Sequence, residues 1–427
     1  MTIHPAKRIR GRVTVPGDKS ISHRAAILSG LAQGTSTVTN FSSSQDCEST
    51  LSCLRELGLE INRSGHDVTI IGGKPTAASH ALDCGNSGST MRMLAGVLAS
   101  RSFESTLTGD ASLQARPMKR IIEPLTAMGA SIGSDHGRPP LNIRGASPLT
   151  AIRYELPVAS AQVKSCVLLA GLAANGRTEI IEPTGTRDHT ERMMRWFGIP
   201  LKSSDHGAIA IDGPADYRAT DVSIPGDISA AAFLIAVAAL LPDSDLLIQN
   251  VGINPTRTAF LRVLQSFGCA IEIMNPREVC NEPVADIRVF ESNLGAAAAI
   301  KVRGELIPLL IDELPLLAVV GSQTEGGIEI RDAAELRLKE TDRIAATIAN
   351  LRAMGVDVEE FEDGLALRGP ASLKGAHLQA FGDHRIAMAF TVAALLAEGE
   401  STIDNPECVD VSFPEFFSTL KSIAQEK

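Results

Sequence analysis

The sequence predicts an α/β fold built as two lobes of three related units. Three observations carry that prediction. A turn that opens into a helix of small apolar residues recurs about six times, roughly every seventy residues. A second helix, halted by a glycine, fills the same slot in five of those units. Thr/Val/Ile-rich runs alternate with both helices, which is the order of an α/β chain.

The first unit sets the pattern. Arg12-Val13-Thr14-Val15 reads as a strand, Pro16-Gly17 as its turn and Ala25–Leu31 as a helix. Between them stand Asp18, Lys19, Ser20, Ser22, His23 and Arg24. A helix start leaves backbone N–H groups unpaired and partly positive, so it suits an anion. Lysine and arginine beside it sharpen that preference for phosphate or carboxylate. The other openings are Gly85-Asn86-Ser87-Gly88, Ala159-Ser160-Ala161-Gln162, Gly226-Asp227-Ile228-Ser229, Ile311-Asp312-Glu313 and Gly382-Asp383-His384-Arg385. Runs such as Ala230-Ala231-Ala232-Phe233-Leu234 and Ala387-Met388-Ala389-Phe390 follow them and predict helices buried on most faces. Good caps alone would explain buried helices. They do not explain why three of the six openings carry Lys, Arg, Gln or His.

Within each copy a strand, the second helix and two strands follow. Copy one has Ser36–Thr39, Cys47–Leu57 before Gly58, Leu59–Asn62 and Val68–Ile71. Copy two has Glu104–Thr108, Lys119–Met128 before Gly129, Ser131–Gly133 and Leu141–Ile143. Copy three has Arg177–Ile181, Thr190–Phe197 before Gly198, and Ala208–Ile211. Copy five has Gly327–Arg331, Arg343–Met354 before Gly355, and Leu365–Arg368. Phe267-Gly268 is the same stop in copy four. The copies divide into two groups of three near Gly226, with no long Pro/Gly/Ser linker. A cleft between two such lobes is the expected ligand site.

Composition removes several functional classes. Of 427 residues, 44% are hydrophobic and 21% charged, as in ordinary soluble proteins. Aromatics make up only 4%, too few for base-stacking platforms. Lys and Arg number 40 against 50 Asp and Glu, a net charge of −10, which disfavours nucleic acid and anionic membranes as partners. Positive sites must therefore be local. The seven cysteines are odd in number and have no C-x-x-C spacing, so buried thiols are expected rather than a zinc site or disulfides. No apolar run approaches the roughly 20 residues that span a bilayer. Met1–Arg12 is basic, short and without an apolar signal core. The expected location is the cytoplasm.

The residues able to carry chemistry cluster at helix starts. Gly17-Asp18-Lys19-Ser20 looks like the end of a P-loop, but Asp18 stands where its second glycine belongs, so nucleoside triphosphate binding is disfavoured. Arg116 precedes a helix opened by Pro117, and Arg187 lies in Gly185-Thr186-Arg187-Asp188-His189. His189 reads as structural. Ser160 reads as a cap, whereas Gln162 on an apolar helix is harder to dismiss. In Lys339-Glu340-Thr341-Asp342-Arg343, Lys339 and Arg343 are four apart, which on a helix puts them on one face with Glu340 beside them as an acid/base. Asp312 interrupts an apolar segment, as a cap or a functional acid. Arg385 begins the sixth helix. Lys19, Arg24, Arg116, Arg187, Lys339, Arg343 and Arg385 are more cation than one small anion needs. They suggest two anionic ligands side by side, with Asp312 and Glu340 as proton carriers.

The motifs resemble a known family. Pro16-Gly17-Asp18-Lys19-Ser20-Ile21-Ser22-His23-Arg24, Gly85-Asn86-Ser87-Gly88-Ser89-Thr90-Met91-Arg92, Arg116-Pro117-Met118, Ser160-Ala161-Gln162-Val163-Lys164-Ser165, Leu338-Lys339-Glu340-Thr341-Asp342-Arg343 and Asp383-His384-Arg385 are similar, in order and spacing, to those of the EPSP synthase family. The resemblance runs from about residue 8 to 420. It implies a two-lobed, inside-out α/β barrel, each lobe three βαβαββ units about a pseudo-threefold axis. It also implies lobes of 16–226 and of 1–15 with 227–427, and a site in the interdomain cleft.

The reaction implied is transfer of the enolpyruvyl group of phosphoenolpyruvate to the 5-hydroxyl of shikimate 3-phosphate, in a monomer needing neither metal nor organic cofactor. By motif, Lys19 would contact both substrates. Ser20, Arg24, Ser160, Gln162, Arg187, Asp312 and Lys339 would hold shikimate 3-phosphate. Gly88, Arg116, Gln162, Arg343 and Arg385 would hold phosphoenolpyruvate. Asp312, Glu340 and Lys19 would be catalytic. Two positions depart from the family pattern: Val411 stands where many relatives have lysine, and Glu335 where some have asparagine. Gly88 leaves room beside the phosphoenolpyruvate site, so inhibition by glyphosate is expected. The sister transferases that act on UDP-N-acetylglucosamine typically carry a cysteine before the Arg-Pro pair and Lys-Asn in the first motif. Here the loop is Asp110–Ala115 and Lys19 precedes Ser20. A non-catalytic phospho-ligand-binding repeat protein would keep the arginines but have no use for Asp312 or Glu340.

Overall fold

Helix starts organise the molecule. In the computed structural model, which describes residues 1–203, 207–292, 294 and 299–426, the six opening helices are Lys19–Leu31, Gly88–Leu98, Ala161–Gly171, Ile228–Leu240, Leu314–Gly321 and His384–Leu396. The side chains of Asp18, Ser87, Ser160, Asp227 and Asp383 accept from the backbone N–H of Ile21, Thr90, Val163, Ser229 and Arg385 respectively. Leu314–Gly321 has no such cap and instead carries Pro315 in its first turn.

Copy one departs from the expected boundary. Its opening helix begins at Lys19, not Ala25, because the Asp18 cap draws the polar stretch into the helix. Lys19, Ser20 and Arg24 therefore ride on helical turns rather than a loop. The second helices Gln45–Glu56, Lys119–Ala127, His189–Trp196, Ala259–Ser266 and Arg343–Ala353 end before Gly58, Gly129, Gly198, Gly268 and Gly355. All five glycines have positive φ, between 74° and 106°, a turn that a Cβ opposes. The sixth copy stops differently: Phe416–Ile423 runs directly into the strand Ala424–Glu426.

The chain forms two compact units. One comprises Gly17–Ile224 with Val279–Glu282; the other comprises Met1–Pro16, Pro225–Glu278 and the chain from Pro283 on. The first holds three sheets of one pattern, in which a short strand lies parallel to a longer one and two antiparallel strands follow. Leu82–Asp83, Glu104–Thr108, Arg138–Arg144 and Ser131–Asp135 stand in that order in copy two. The second unit also holds three, among them Ile300–Val302, Ile328–Ile330, Gly364–Leu367 and Val358–Phe361.

Copies one and four exchange their first strands. Ala6–Thr14 precedes the copy-one helix in the chain but pairs, parallel, with Asp245–Gly252 of copy four. Val222–Ser223 precedes the copy-four helix but pairs, parallel, with Gly34–Thr39 of copy one.

Each unit has its own apolar core centred on its opening helices. Ile228–Leu240 buries every residue except Leu240, and His384–Leu396 every residue except Leu396. Small residues permit this. A Cβ at Gly96 would stand 2.2 Å from the Cys166 carbonyl oxygen of the neighbouring opening helix. All seven cysteines are free, six buried and Cys280 half-buried. No helix among the described residues is long and apolar enough to cross a membrane.

Candidate active site

In the Gly17–Ile224 unit the predicted residues gather at the N-terminal ends of the three opening helices. Lys19 Nζ lies 2.8 Å from Asp46 Oδ2, at the start of the second helix of copy one. Arg24 is buried, and its fork joins three elements. Nη1 donates to the Ser20 carbonyl at 2.7 Å, Nε to Thr190 Oγ1 at 2.6 Å and Nη2 to Ser165 Oγ at 2.7 Å. A guanidinium so tied is fixed in direction.

Arg116, also buried, donates through Nη2 to Asn86 Oδ1 at 2.6 Å and Ser112 Oγ at 3.1 Å. Gln162 accepts from Arg92 Nη1 at 2.6 Å and donates to Ser89 Oγ at 2.9 Å. Gly88 explains how two guanidiniums fit here: a Cβ would stand 2.5 Å from Arg92 Nη1 and 3.5 Å from Arg116 Nη1. Ser160 serves as a cap. Arg187 lies half-buried in the turn before His189–Trp196.

Beneath these cations runs a chain of buried hydroxyls. His23 Nδ1 lies 2.7 Å from Thr50 Oγ1, Thr50 Oγ1 2.6 Å from Thr90 Oγ1, and Thr90 Oγ1 donates to Ser87 Oγ at 2.7 Å. Burial holds the His23 pKa well below its ordinary value, and Lys19 and Arg24 press it the same way. His23 is thus a neutral spacer between copies. His189 is structural as expected, its Nδ1 2.7 Å from Glu282 Oε1.

The second unit assembles its residues around Arg343, which is 1% exposed. Nε donates to Asp383 Oδ2 at 2.7 Å, and Nη2 to Asp383 Oδ1 at 3.2 Å and Glu340 Oε2 at 2.7 Å. Nη1 lies 3.5 Å from Asp312 Oδ1. Burial opposes the charge of Arg343, but Asp383, Glu340 and Asp312 outweigh it and raise its pKa. The carboxylates differ in access: Asp312 and Glu340 side chains are 21% and 16% exposed, Asp383 0%. Arg385 Nη1 lies 3.5 Å from the Ser229 carbonyl oxygen and 3.8 Å from Glu313 Oε1. Arg257 donates to Ser229 Oγ at 2.8 Å.

Lys339 corrects one expectation. It ends a 3-10 turn, Ala334–Leu338, and Asp342 then caps the helix Arg343–Ala353. Lys339 and Glu340 therefore lie in a connecting loop, not on one helix face with Arg343. Loss of water lowers the Lys339 pKa, while Asp312 and Glu335 work against that shift. The expected excess of cation also fails here, since carboxylates surround Arg343.

Known proteins resemble this chain over its whole length. The family described as EPSP synthase (3-phosphoshikimate 1-carboxyvinyltransferase) matches residues 3–420. The chain belongs to the EPSP synthase family. A 3-phosphoshikimate 1-carboxyvinyltransferase of Koribacter versatilis is 49% identical over 426 residues, covering 99% of both chains. Its namesake in Brevibacillus brevis is 47% identical over 431 residues, covering all of both. The EPSP synthase structure from Acinetobacter baumannii superposes with a TM-score of 0.87 at 40% identity, covering 100% of this chain and 98% of that one.

Several residues that hold the expected ones in place escaped sequence reasoning. Asp46, Thr190 and Asn86 orient the expected cations, Arg92 orients Gln162, and Glu313 and Ser229 stand beside Arg385. Arg92 had a signal: it stands four residues after Gly88 on one helix face. Asp46 resembled an ordinary first-turn acid. Val411 ends a 3-10 turn, Pro406–Val411, and is half-buried; Glu335 is half-buried in Ala334–Leu338. No group of three or more His, Cys, Asp or Glu side chains among the described residues could hold a metal ion.

Proposed function

We propose the following roles for the reaction that membership in the EPSP synthase family assigns to this chain, transfer of the enolpyruvyl group of phosphoenolpyruvate to the 5-hydroxyl of shikimate 3-phosphate. The two sets of residues act on one substrate pair. Ser20, Arg24, Ser160, Gln162, Arg187 and Lys339 hold shikimate 3-phosphate. Gly88, Arg116, Gln162, Arg343 and Arg385 hold phosphoenolpyruvate, and Lys19 touches both.

The chemistry needs two proton carriers. Glu340, or Lys19 with it, gives a proton to the methylene carbon of phosphoenolpyruvate, which makes its neighbour cationic and open to attack. The 5-hydroxyl oxygen bonds to that carbon and gives its proton to Asp312. Loss of a methyl proton, taken by Glu340 or Lys19, then restores the double bond and expels phosphate. Fixed guanidiniums stabilise the departing charge. The observation that carries this reading is the contrast around Arg343: two of its three carboxylates, Asp312 and Glu340, keep an exposed edge, whereas Asp383 is sealed in.

Each unit is proposed to be an inside-out barrel about a pseudo-threefold axis, in a cytoplasmic monomer whose partners are these two small molecules, with no nucleic acid, membrane or cofactor. The test is phosphate release with both substrates. Asp312→Asn and Glu340→Gln are expected to bind shikimate 3-phosphate and lose turnover by about 100-fold or more. Turnover equal to wild type in both variants would remove the acid/base assignment.

A further inference from the structure

The three opening helices of the Gly17–Ile224 unit have a second common end, where a half-open cavity of about 750 Å³ lies. That volume falls within the range of small-molecule sites. All three copies line it: Leu31 and Lys74 from copy one, Val97 and Arg101 from copy two, Leu172 and Tyr217 from copy three. It lies at the C-terminal ends of helices whose N-terminal ends carry Lys19, Gly88 and Gln162. The 13-residue helix Lys19–Leu31 separates the two ends by about 19 Å. The proposed reaction uses nothing here.

Arg101 is the informative group. Its Nε is shut off from solvent and has no hydrogen-bond partner. Burial pulls its pKa down, with Tyr217 opposing. The bland role for a cation at helix C-termini is to bond the terminal carbonyls. Backbone donors already do that. Gly73 N–H donates to the Gly30 carbonyl at 3.0 Å, Ala146 to Ala99 at 2.9 Å and Ala215 to Leu172 at 2.9 Å. Asp216 is the one carboxylate of a lining that also carries Lys74 and Arg101. Tyr217 is anchored, its hydroxyl donating to the Leu28 carbonyl at 3.0 Å, so its ring is a fixed wall. The cavity is thus lined by the Arg101 guanidinium, whose sealed Nε leaves the Nη end for a ligand, and by Leu31, Val97, Leu172 and an aromatic ring.

We propose that this cavity binds a small carboxylate with a flat apolar body, the carboxylate on Arg101 and the body against Tyr217 and the aliphatic wall. The class follows from the lining: a guanidinium end that matches a carboxylate, beside apolar side chains and a fixed aromatic ring that an inorganic anion would leave uncovered. Binding would clamp the three copies at the end remote from the substrates.

Benzoate is the probe, with benzamide as its uncharged twin and acetate as the carboxylate without a body. Titrated into the full-length protein and followed by ligand-observed NMR, benzoate is expected to bind about tenfold or more tightly than either. Its affinity should be unchanged by saturating shikimate 3-phosphate and should fall about tenfold in Arg101→Met. Ala215→Phe, which fills the cavity rim and leaves the charge, should abolish binding while the melting curve confirms a folded chain. Displacement by shikimate 3-phosphate, equal binding in either variant, or no saturable binding at millimolar benzoate would each overturn the assignment.

Discussion

Asp383 bears the structural burden of its half of the site, and its removal should be costly in a defined way. Its carboxylate is 0% exposed and does two tasks. Oδ2 and Oδ1 grip Arg343 at 2.7 Å and 3.2 Å, and Oδ1 also accepts from Arg385 N–H at 2.8 Å, capping His384–Leu396. Asp383→Asn keeps an oxygen for the cap but sets an NH₂ donor against the Arg343 donors. Breaking a buried pair from one side costs about 3–5 kcal/mol. Glu340 and Asp312 still neutralise Arg343, so the lower end, about 3 kcal/mol, is expected. Asp383→Ala also loses the cap, worth about 1 kcal/mol, for a total of about 4 kcal/mol. Against a typical stability of about 5–15 kcal/mol that is a large share.

Urea unfolding followed by circular dichroism reads the loss as a lower midpoint. A second arm separates charge pairing from mere packing. Replacing both partners, as in Arg343→Met with Asp383→Leu, removes the buried charges together and should recover most of the stability without recovering turnover. A loss below about 1 kcal/mol in Asp383→Ala would refute the argument, because neither the pair nor the cap would then be contributing. So would a double variant no more stable than Asp383→Ala.

Other consequences are as direct. His23 should stay neutral from pH 7 to pH 5, and its ring proton resonances should not move; a midpoint near 6.5 would contradict its burial. The sign for stability follows: with a folded pKa below the unfolded value of about 6.5, its contribution is intact above that pH and is lost as pH falls below it, where only the unfolded chain takes up the proton. Lys164 is 1% exposed and lies 2.8 Å from Glu182 and 2.6 Å from Glu191, so Lys164→Met should strand two buried carboxylates and cost about 3–5 kcal/mol by thermal or urea melts. Gly88→Ala should push Arg92 off Gln162, raise KM for phosphoenolpyruvate and weaken glyphosate. Millimolar glyphosate should compete with phosphoenolpyruvate in the unsubstituted enzyme, and steady-state kinetics that lack this competition would count against the site assignment.

Much of this architecture can be read along the chain because its signals are short-range. A cap acts on an N–H two or three residues away, and a stop glycine acts on its own φ, so both survive in a one-dimensional reading. That is why the six openings and the five glycine stops are visible before any contact is known. Where local signals compete, the reading slips by a turn or a face. Asp18 extended the first helix back to Lys19, and Asp342 kept Lys339 off the helix that Arg343 begins.

Partnership between distant residues is another matter. Nothing near Arg24 in sequence announces Thr190, 166 positions away, or Ser165, 141 away. Nothing near Arg343 announces Asp383, 40 positions on. The swap of first strands between copies one and four has no local mark either, since a strand carries no sign of its neighbour; only the family resemblance implied where the first of them belongs. Residue types and their spacing thus specified which chemistry was available and where helices would begin. Packing of the copies chose which guanidinium meets which carboxylate, because hydrogen bonds and burial depend on distance through space, and chain order does not encode that distance.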